Sequence, residues 1–286
     1  MSIRSLVAAS VALATLGVSG AATAASPSVV SRQMHERLIV LDTHLDTPAL
    51  LARPGWDIME EHSFEADRSQ VDFPRMVDGG LDGGFWALFT PQGPRTPEGY
   101  AAARERALQI AQRIRDMVDR NARQFELATT VADAERIVGS RKRIVYLSME
   151  NAYPLGKDVT QLRTFHDLGV RMVGLVHFAN NDFADSATDP KGPEWRGLSR
   201  LGKDLVREAN RLGVILDASH ASDDVLRQLI DLSKTPVILS HSGSRLVHDH
   251  PRNIGDDLMK KLAEAGGLIQ INSLSDYMVD VPANTE

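Results

Sequence analysis

The 286 residues contain no cysteine, which excludes disulfides, thiolate metal ligands, a cysteine nucleophile and lipidated cysteines together. Any metal must then rely on histidine, aspartate or glutamate. Positive charge is also short: Lys+Arg 32 against Asp+Glu 38 gives a net charge of -6, with no surplus to displace counterions from nucleic acid. Small molecules, and not nucleic acid, are the expected partners. No apolar run reaches the roughly 20 residues that span a bilayer as a helix. With 43% hydrophobic and 24% charged residues, the chain has material for one or two globular domains. Repeats and low-complexity tracts are missing as well.

The longest apolar run, residues 6–18, lies in a distinct N-terminal stretch: Arg4 precedes it, and small residues ending Ala22-Thr23-Ala24 follow it. That order predicts a secretory signal peptide over residues 1–24 and a mature domain over 25–286. The expectation is export to the periplasm or the medium, with no stable membrane insertion after cleavage. Removing the leader takes away one arginine and no acid, leaving -7.

Seven short runs rich in Val, Ile and Leu recur at 38–45, 84–90, 144–150, 171–177, 214–220, 236–241 and 267–272. Continuous apolar runs separated by amphipathic helices predict strands of a parallel sheet covered on both faces. Helices are expected where Pro97 opens a stripe of Leu108, Ala111, Ile114 and Val118, and where Ser222 can cap a turn that begins Asp223-Asp224. A third, striped by Leu201, Leu205, Ala209 and Leu212, should end at Gly213. The alternation favours an α/β fold of the (β/α)8 TIM-barrel type. A doubly wound sheet is less favoured because no glycine-rich phosphate fingerprint follows the first run. Two long connections, 47–80 and 178–197, follow strand ends and are the natural specificity loops.

The runs end in chemistry: Leu-Asp-Thr-His44-Leu-Asp46, Tyr-Leu-Ser-Met-Glu150, Gly-Leu-Val-His177, Asp-Ala-Ser-His220 and Leu-Ser-His241. In a parallel barrel all strand C-termini open on one face, so these groups should converge. His44 and Asp46 are two residues apart and can hold one ion, while His220 and His241 on neighbouring strands can hold a second. Glu150, with two oxygens, can bridge both. Imidazole and carboxylate ligands without sulfur suit zinc in an open site. Two divalent ions with Asp46, Glu150 and a bridging hydroxide leave about +1 to attract an anion. Asp42 shares the parity of His44 and is a rival ligand, read in preference as a buried hydrogen-bond partner. His35, His62, His166, His248 and His250 are expected in solvated helices or loops.

At these residues the chain resembles the membrane dipeptidase (renal dipeptidase) family of amidohydrolase-type barrels. The resemblance runs from about Leu38 to Tyr277 and rests on Leu-Asp-Thr-His-Leu-Asp, Gly-Val-Arg-Met-Val-Gly-Leu-Val-His, Asn-Arg-Leu-Gly-Val-Ile-Leu-Asp-Ala-Ser-His, Pro-Val-Ile-Leu-Ser-His-Ser and His-Pro-Arg-Asn. It implies two zinc ions, one on His44 and Asp46, one on His220 and His241, bridged by Glu150. It implies a dipeptide substrate hydrolysed by a metal-bridging hydroxide, with His177 at the scissile carbonyl, Arg252 on a substrate carboxylate and Tyr277 at the same end. A homodimer is the form of self-association to consider.

Three departures stand out. Glu150-Asn151-Ala152 replaces a common Glu-Gly-Gly, and Val176 precedes His177 where a hydroxyl residue is usual. The sequence ends soon after the seventh run, so the expected barrel is truncated there, without the eighth strand and its aspartate. Two parallel edges would then lie unpaired. Other readings are a different amidohydrolase-type hydrolase, acting on an N-acyl amino acid or a lactam, and a non-catalytic metal or peptide binder.

Overall fold

A computed structural model describes residues 28–281. The leader expected over residues 1–24 lies outside them. Residues 28–37 belong to a separate unit, in which Ser28 caps the short helix Val29–His35 by accepting the Ser31 amide at 3.1 Å.

The remaining unit contains nine parallel strands among the described residues: β1 (Leu41–Leu45), β2 (Gly83–Phe89), β3 (Phe125–Leu127), β4 (Arg143–Glu150), β5 (Val170–Gly174), β6 (Ile215–Asp217), β7 (Ile238–Ser244), β8 (Asn253–Ile254) and β9 (Leu268–Ile271). Seven form a continuous curled sheet in the order β1-β2-β4-β5-β6-β7-β9, the partial TIM-type barrel expected from the apolar runs. The other two are short additions, β3 beside the start of β4 and β8 beside the end of β7. Neither carries enough residues to show a periodicity in sequence.

The helices form where caps and stripes predict them. Thr96 caps Pro97–Arg120 by accepting the Gly99 amide at 3.2 Å, and the helix buries Ala107, Ile110, Ala111, Ile114, Met117 and Val118. Leu108 is only partly buried, because the true face is centred one residue row away. Ser222 caps Asp223–Leu232 through the Val225 amide. Arg200–Leu212 ends at Gly213 with φ 71°, the left-handed conformation that glycine adopts without penalty. At the start of β2 the backbones are too close for side chains: a Cβ on Gly83 would stand 2.1 Å from the Ile144 carbonyl oxygen, and one on Gly84 would stand 2.3 Å from that of Asp42. That contact sets β1, β2 and β4 level, so their C-terminal ends reach one mouth. No helix among the described residues is long and apolar enough to cross a membrane.

The expected unpaired edge of β1 is partly satisfied, and by a side chain. Gln270 of β9 accepts the Thr43 amide through Oε1 at 3.0 Å and reaches the Leu41 carbonyl with Nε2 at 3.4 Å. The Thr43 hydroxyl lies 2.6 Å from both that Oε1 and the Ser240 carbonyl of β7. One carboxamide thus imitates the donor and acceptor of a strand backbone. Gln270→Ala leaves the Thr43 amide without its partner and should lower unfolding stability by about 1–3 kcal/mol, read from the urea midpoint.

Candidate metal centre

All eight residues singled out in the sequence line one cleft of about 1320 Å³ at the C-terminal mouth of the strands. His44 sits in β1, and Asp46 follows it at the head of the 3-10 turn Thr47–Ala52. Glu150 ends β4 with 7% exposure. His177 lies three residues beyond β5, and His241 is inside β7. His220 follows β6 in the left-handed region at φ 67°, a conformation that costs a β-carbon residue free energy and persists only where neighbours enforce it.

The two oxygens of Glu150 face different partners. Oε1 is 3.1 Å from His220 Nε2 and 3.6 Å from His241 Nε2, while Oε2 is 3.6 Å from His44 Nε2, which in turn is 3.4 Å from Asp46 Oδ1. The Nε2 atoms of His220 and His241 are 2.9 Å apart. Ligand atoms around one tetrahedral ion bonded at 2.0–2.1 Å stand roughly 3.3 Å apart, so these spacings fit a metal. The fit rests also on converging lone pairs: two imidazole nitrogens and a carboxylate oxygen meet in a buried space, where only a proton or a cation reconciles them.

Two triads of possible ligand atoms also combine residues from both expected pairs. They are His44, Glu150 and His241, and Glu150, His177 and His220, each with ligand atoms within 4.8 Å of one another. The His44 ring stacks on that of His241 with centroids 3.8 Å apart, which draws it toward β7. The Asp46 side chain, 76% exposed, stands at the rim outside both triads. Asp42 accepts the His44 amide through Oδ1 at 2.8 Å, the hydrogen-bonding role preferred for it.

Electrostatics follow from burial of this cluster. Desolvation pushes the Glu150 carboxyl up to about 7, against the pull of the His44 charge. For His44, burial works against the charged form, but the Asp46 hydrogen bond and the Glu150 charge outweigh it and raise the imidazole to about 9. Desolvation would raise Asp46, yet its hydrogen bond to His44 and the charge of His44 hold it below the usual range. His220 and His241 are driven well below their ordinary value by burial first, then by cationic neighbours including Arg252. They are therefore neutral, as imidazole ligands must be. His177 falls to about 4 through burial and the Arg252 charge, and the rings of Phe89 and Phe178 flank it at 4.7 and 3.9 Å.

Arg252 is 2% exposed, yet no carboxylate lies within ion-pair distance of it among the described residues. Its NH2 donates to the His241 carbonyl at 3.0 Å, its Nε has no partner, and its Cζ lies 5.4 Å over the Tyr277 ring. A buried guanidinium without an anion is costly. A ligand carboxylate would remove that cost.

Sequence reasoning passed over Asp217 and Ser240. Asp217 Oδ1 accepts the amides of Ser219 and Ser240 at 2.9 and 3.0 Å, and its Oδ2 accepts the Ser240 hydroxyl at 2.5 Å. Ser240 Oγ is 2.8 Å from His241 Nδ1. Both residues were in view in Asp-Ala-Ser-His and Leu-Ser-His, but only the pairing of β6 with β7 brings them together. Asn151, which replaces the common glycine, has φ 72°, a conformation that asparagine tolerates. Its Nδ2 donates to the Thr90 carbonyl at 3.1 Å, and its Oδ1 accepts from Asn181 at 3.0 Å, joining the mouth of β2 to the 178–197 loop. In that loop Asp185 gathers the amides of Glu194, Trp195 and Gly197. His62 departs from the solvated reading: it is 2.8 Å from Asp67 and stacked on Trp56, fastening the 47–80 connection.

A profile of the membrane dipeptidase family (peptidase family M19) matches residues 30–286. An uncharacterized dipeptidase of Schizosaccharomyces pombe is 32% identical over 259 residues, covering 86% of this chain and 62% of its own length. Dipeptidase tcpJ of Claviceps purpurea is 34% identical over 241 residues, covering 81% of this chain and 56% of its own. Among solved structures, the probable dipeptidase PvdM of Pseudomonas aeruginosa superposes with a TM-score of 0.78 at 32% identity, covering 85% of this chain and 62% of that one. A metallo peptidase of Rhodobacter sphaeroides, liganded with a phosphinate mimic of the dipeptide L-Ala-D-Ala, gives 0.73 at 25% identity, covering 84% and 75%. The chain thus spans a little over half the length of the curated relatives named here.

Glu150 faces every imidazole in the cluster, so Glu150→Ala should abolish metal retention, measured as metal per chain after dialysis and elemental analysis. Retention of two ions per chain would remove Glu150 from the bridging position.

Proposed function

The chain belongs to the membrane dipeptidase family, and from that membership and the geometry of its cleft we propose that it is a zinc-dependent dipeptidase. The observation that carries the reading is the divided carboxylate of Glu150, one oxygen toward His220 and His241 and the other toward His44, which in turn faces Asp46. That division suits two ions with Glu150 between them. Zinc in such a site supplies Lewis acidity toward a carbonyl oxygen and makes water a usable nucleophile near neutral pH.

The remaining work belongs to the chain's own residues. Arg252 binds the carboxylate of the substrate's second residue, because a buried guanidinium with free N–H donors matches that group in shape and charge. Tyr277, against the guanidinium, lines the same end. His177 is a neutral imidazole whose Nε2 is 3.8 Å from Glu150 Oε1. There it can donate an N–H to the carbonyl oxygen as negative charge develops on it. Phe89 and Phe178 pack against that ring and restrict its rotation. Anchoring the free carboxylate at a fixed distance from the reacting carbonyl limits the substrate to one peptide bond before the C-terminus. The mimic of L-Ala-D-Ala held by the Rhodobacter relative supports a dipeptide in the same cleft. The leader pattern at residues 1–24 supports export of the domain that follows it.

The reading is tested by loading the purified chain with zinc, counting metal, and assaying free dipeptides against C-terminally amidated ones. Expected are about two zincs per chain, cleavage abolished by a chelator and restored by zinc, and rejection of the amides. Zinc and dipeptide bound without turnover would instead support the binder. His177→Ala should keep its metal and lose roughly 100- to 1000-fold in kcat, the usual cost of removing one oxyanion donor. Arg252→Ala should keep metal and raise KM roughly 30-fold or more, as expected for truncating a buried charged pair at about 2 kcal/mol or above. An unchanged KM would remove Arg252 from the carboxylate end.

A further inference from the structure

We propose that Asp217, acting through the Ser240 hydroxyl, is the positioning residue that sets the tautomer of His241, placing its ring proton on Nδ1 and leaving Nε2 bare toward Glu150 and His220. The inference rests on the metal reading of the cleft, because a bare Nε2 is the form of imidazole that binds an ion.

The direction of each hydrogen bond follows from what each atom can do. The Asp217 carboxylate only accepts, so at 2.5 Å the Ser240 proton points toward Oδ2. Ser240 Oγ then meets His241 Nδ1 at 2.8 Å with a lone pair, and Nδ1 must carry the proton. The third neighbour agrees. Ser219 Oγ already accepts the His241 amide at 3.0 Å, so its own proton is free to point at Ser240 Oγ 3.2 Å away. Every donor in the set has one acceptor, and reversing the Ser240 hydroxyl would leave Asp217 Oδ2 facing a lone pair. The relay is buried, with Asp217 at 5%, Ser219 at 2% and Ser240 at 2% exposure, so water does not compete for it. His220 contrasts with this, because its Nδ1 is buried with no partner. Of the two histidines that face each other at 2.9 Å, only His241 has its proton assigned by the protein.

The isosteric change Asp217→Asn reverses the relay. Two backbone amides, from Ser219 and Ser240, hold the side-chain oxygen in place, so the new NH2 must face Ser240 Oγ and donate to it. The hydroxyl proton then turns to His241 Nδ1 and moves the ring proton to Nε2. Ser240→Ala removes the link without touching Asp217.

The test uses the full chain. Ring nitrogens of 15N-labelled histidine are read by long-range proton–nitrogen NMR on metal-free protein, with His241 identified by its loss in His241→Gln. Zinc affinity is measured separately by competition with a chromophoric chelator. Expected are a wild-type His241 protonated at Nδ1, an Asp217→Asn variant protonated at Nε2, and zinc affinity lower by roughly 10- to 100-fold in both variants. Circular dichroism checks folding, and if Asp217→Asn does not fold, Ser240→Ala decides alone. A wild-type proton on Nε2 overturns the proposal, as does wild-type zinc affinity in a folded variant. Failure of the wild type to bind zinc overturns the metal reading instead, and the NMR result then still reports on the relay.

Discussion

Glu150 is a carboxylate at the end of a central strand, 7% exposed, and a charge in that position must be compensated. No Lys or Arg lies within ion-pair distance of it among the described residues. The parallel topology delivers the imidazoles of four other strand ends to the same mouth; His44 carries the compensating positive charge, while His177, His220 and His241 face the carboxylate as neutral rings. The protonation pattern expresses the same balance: His44, between the carboxylates of Asp46 and Glu150, is pushed up to about 9, and His220 and His241, as buried but beside cationic neighbours including Arg252, are pushed down. A divalent cation satisfies this arrangement better than one proton.

The supports beneath the cluster are polar and local. Asp42 fixes the His44 amide, Asp217 and Ser240 hold His241, and Asn151 holds the backbone that follows Glu150. Asp42, Asp217 and Asn151 each accept a backbone amide, as Gln270 does along β1, and Ser240 reaches the His241 ring itself. Such groups restrict rotamers at a site where displacement of a ligand by a fraction of an ångström changes affinity. The strained backbone of His220 belongs to the same economy, since its left-handed φ is held by the bond from the Ala187 amide to the His220 carbonyl and by the bridge between Ser186 and Ala221.

The cleft is also asymmetric in charge. Asp46 at the rim and Glu150 at the floor mark a cation side, while Arg252, buried and without an ion-pair partner, marks an anion side.

The sequence by itself determined much of this molecule. Apolar runs of six to eight residues, the helix starts at Pro97 and Ser222 and a glycine stop at Gly213 are local signals, because they depend on backbone propensity and on neighbours within a few positions. The histidines and acids at the ends of those runs were equally legible, since a polar residue terminating a buried strand is conspicuous. Strands β3 and β8 were not legible, because two or three residues carry no period. His62 read as a loop histidine until the fold placed Asp67 and Trp56 against it. Only the tertiary structure stacked the His44 ring on that of His241 across the barrel mouth and left the Asp46 side chain at the rim. It alone joined Asp217 to Ser240 and turned Gln270 toward β1. Those facts depend on register and curl between strands distant in the chain, which the order of residues along one strand does not contain.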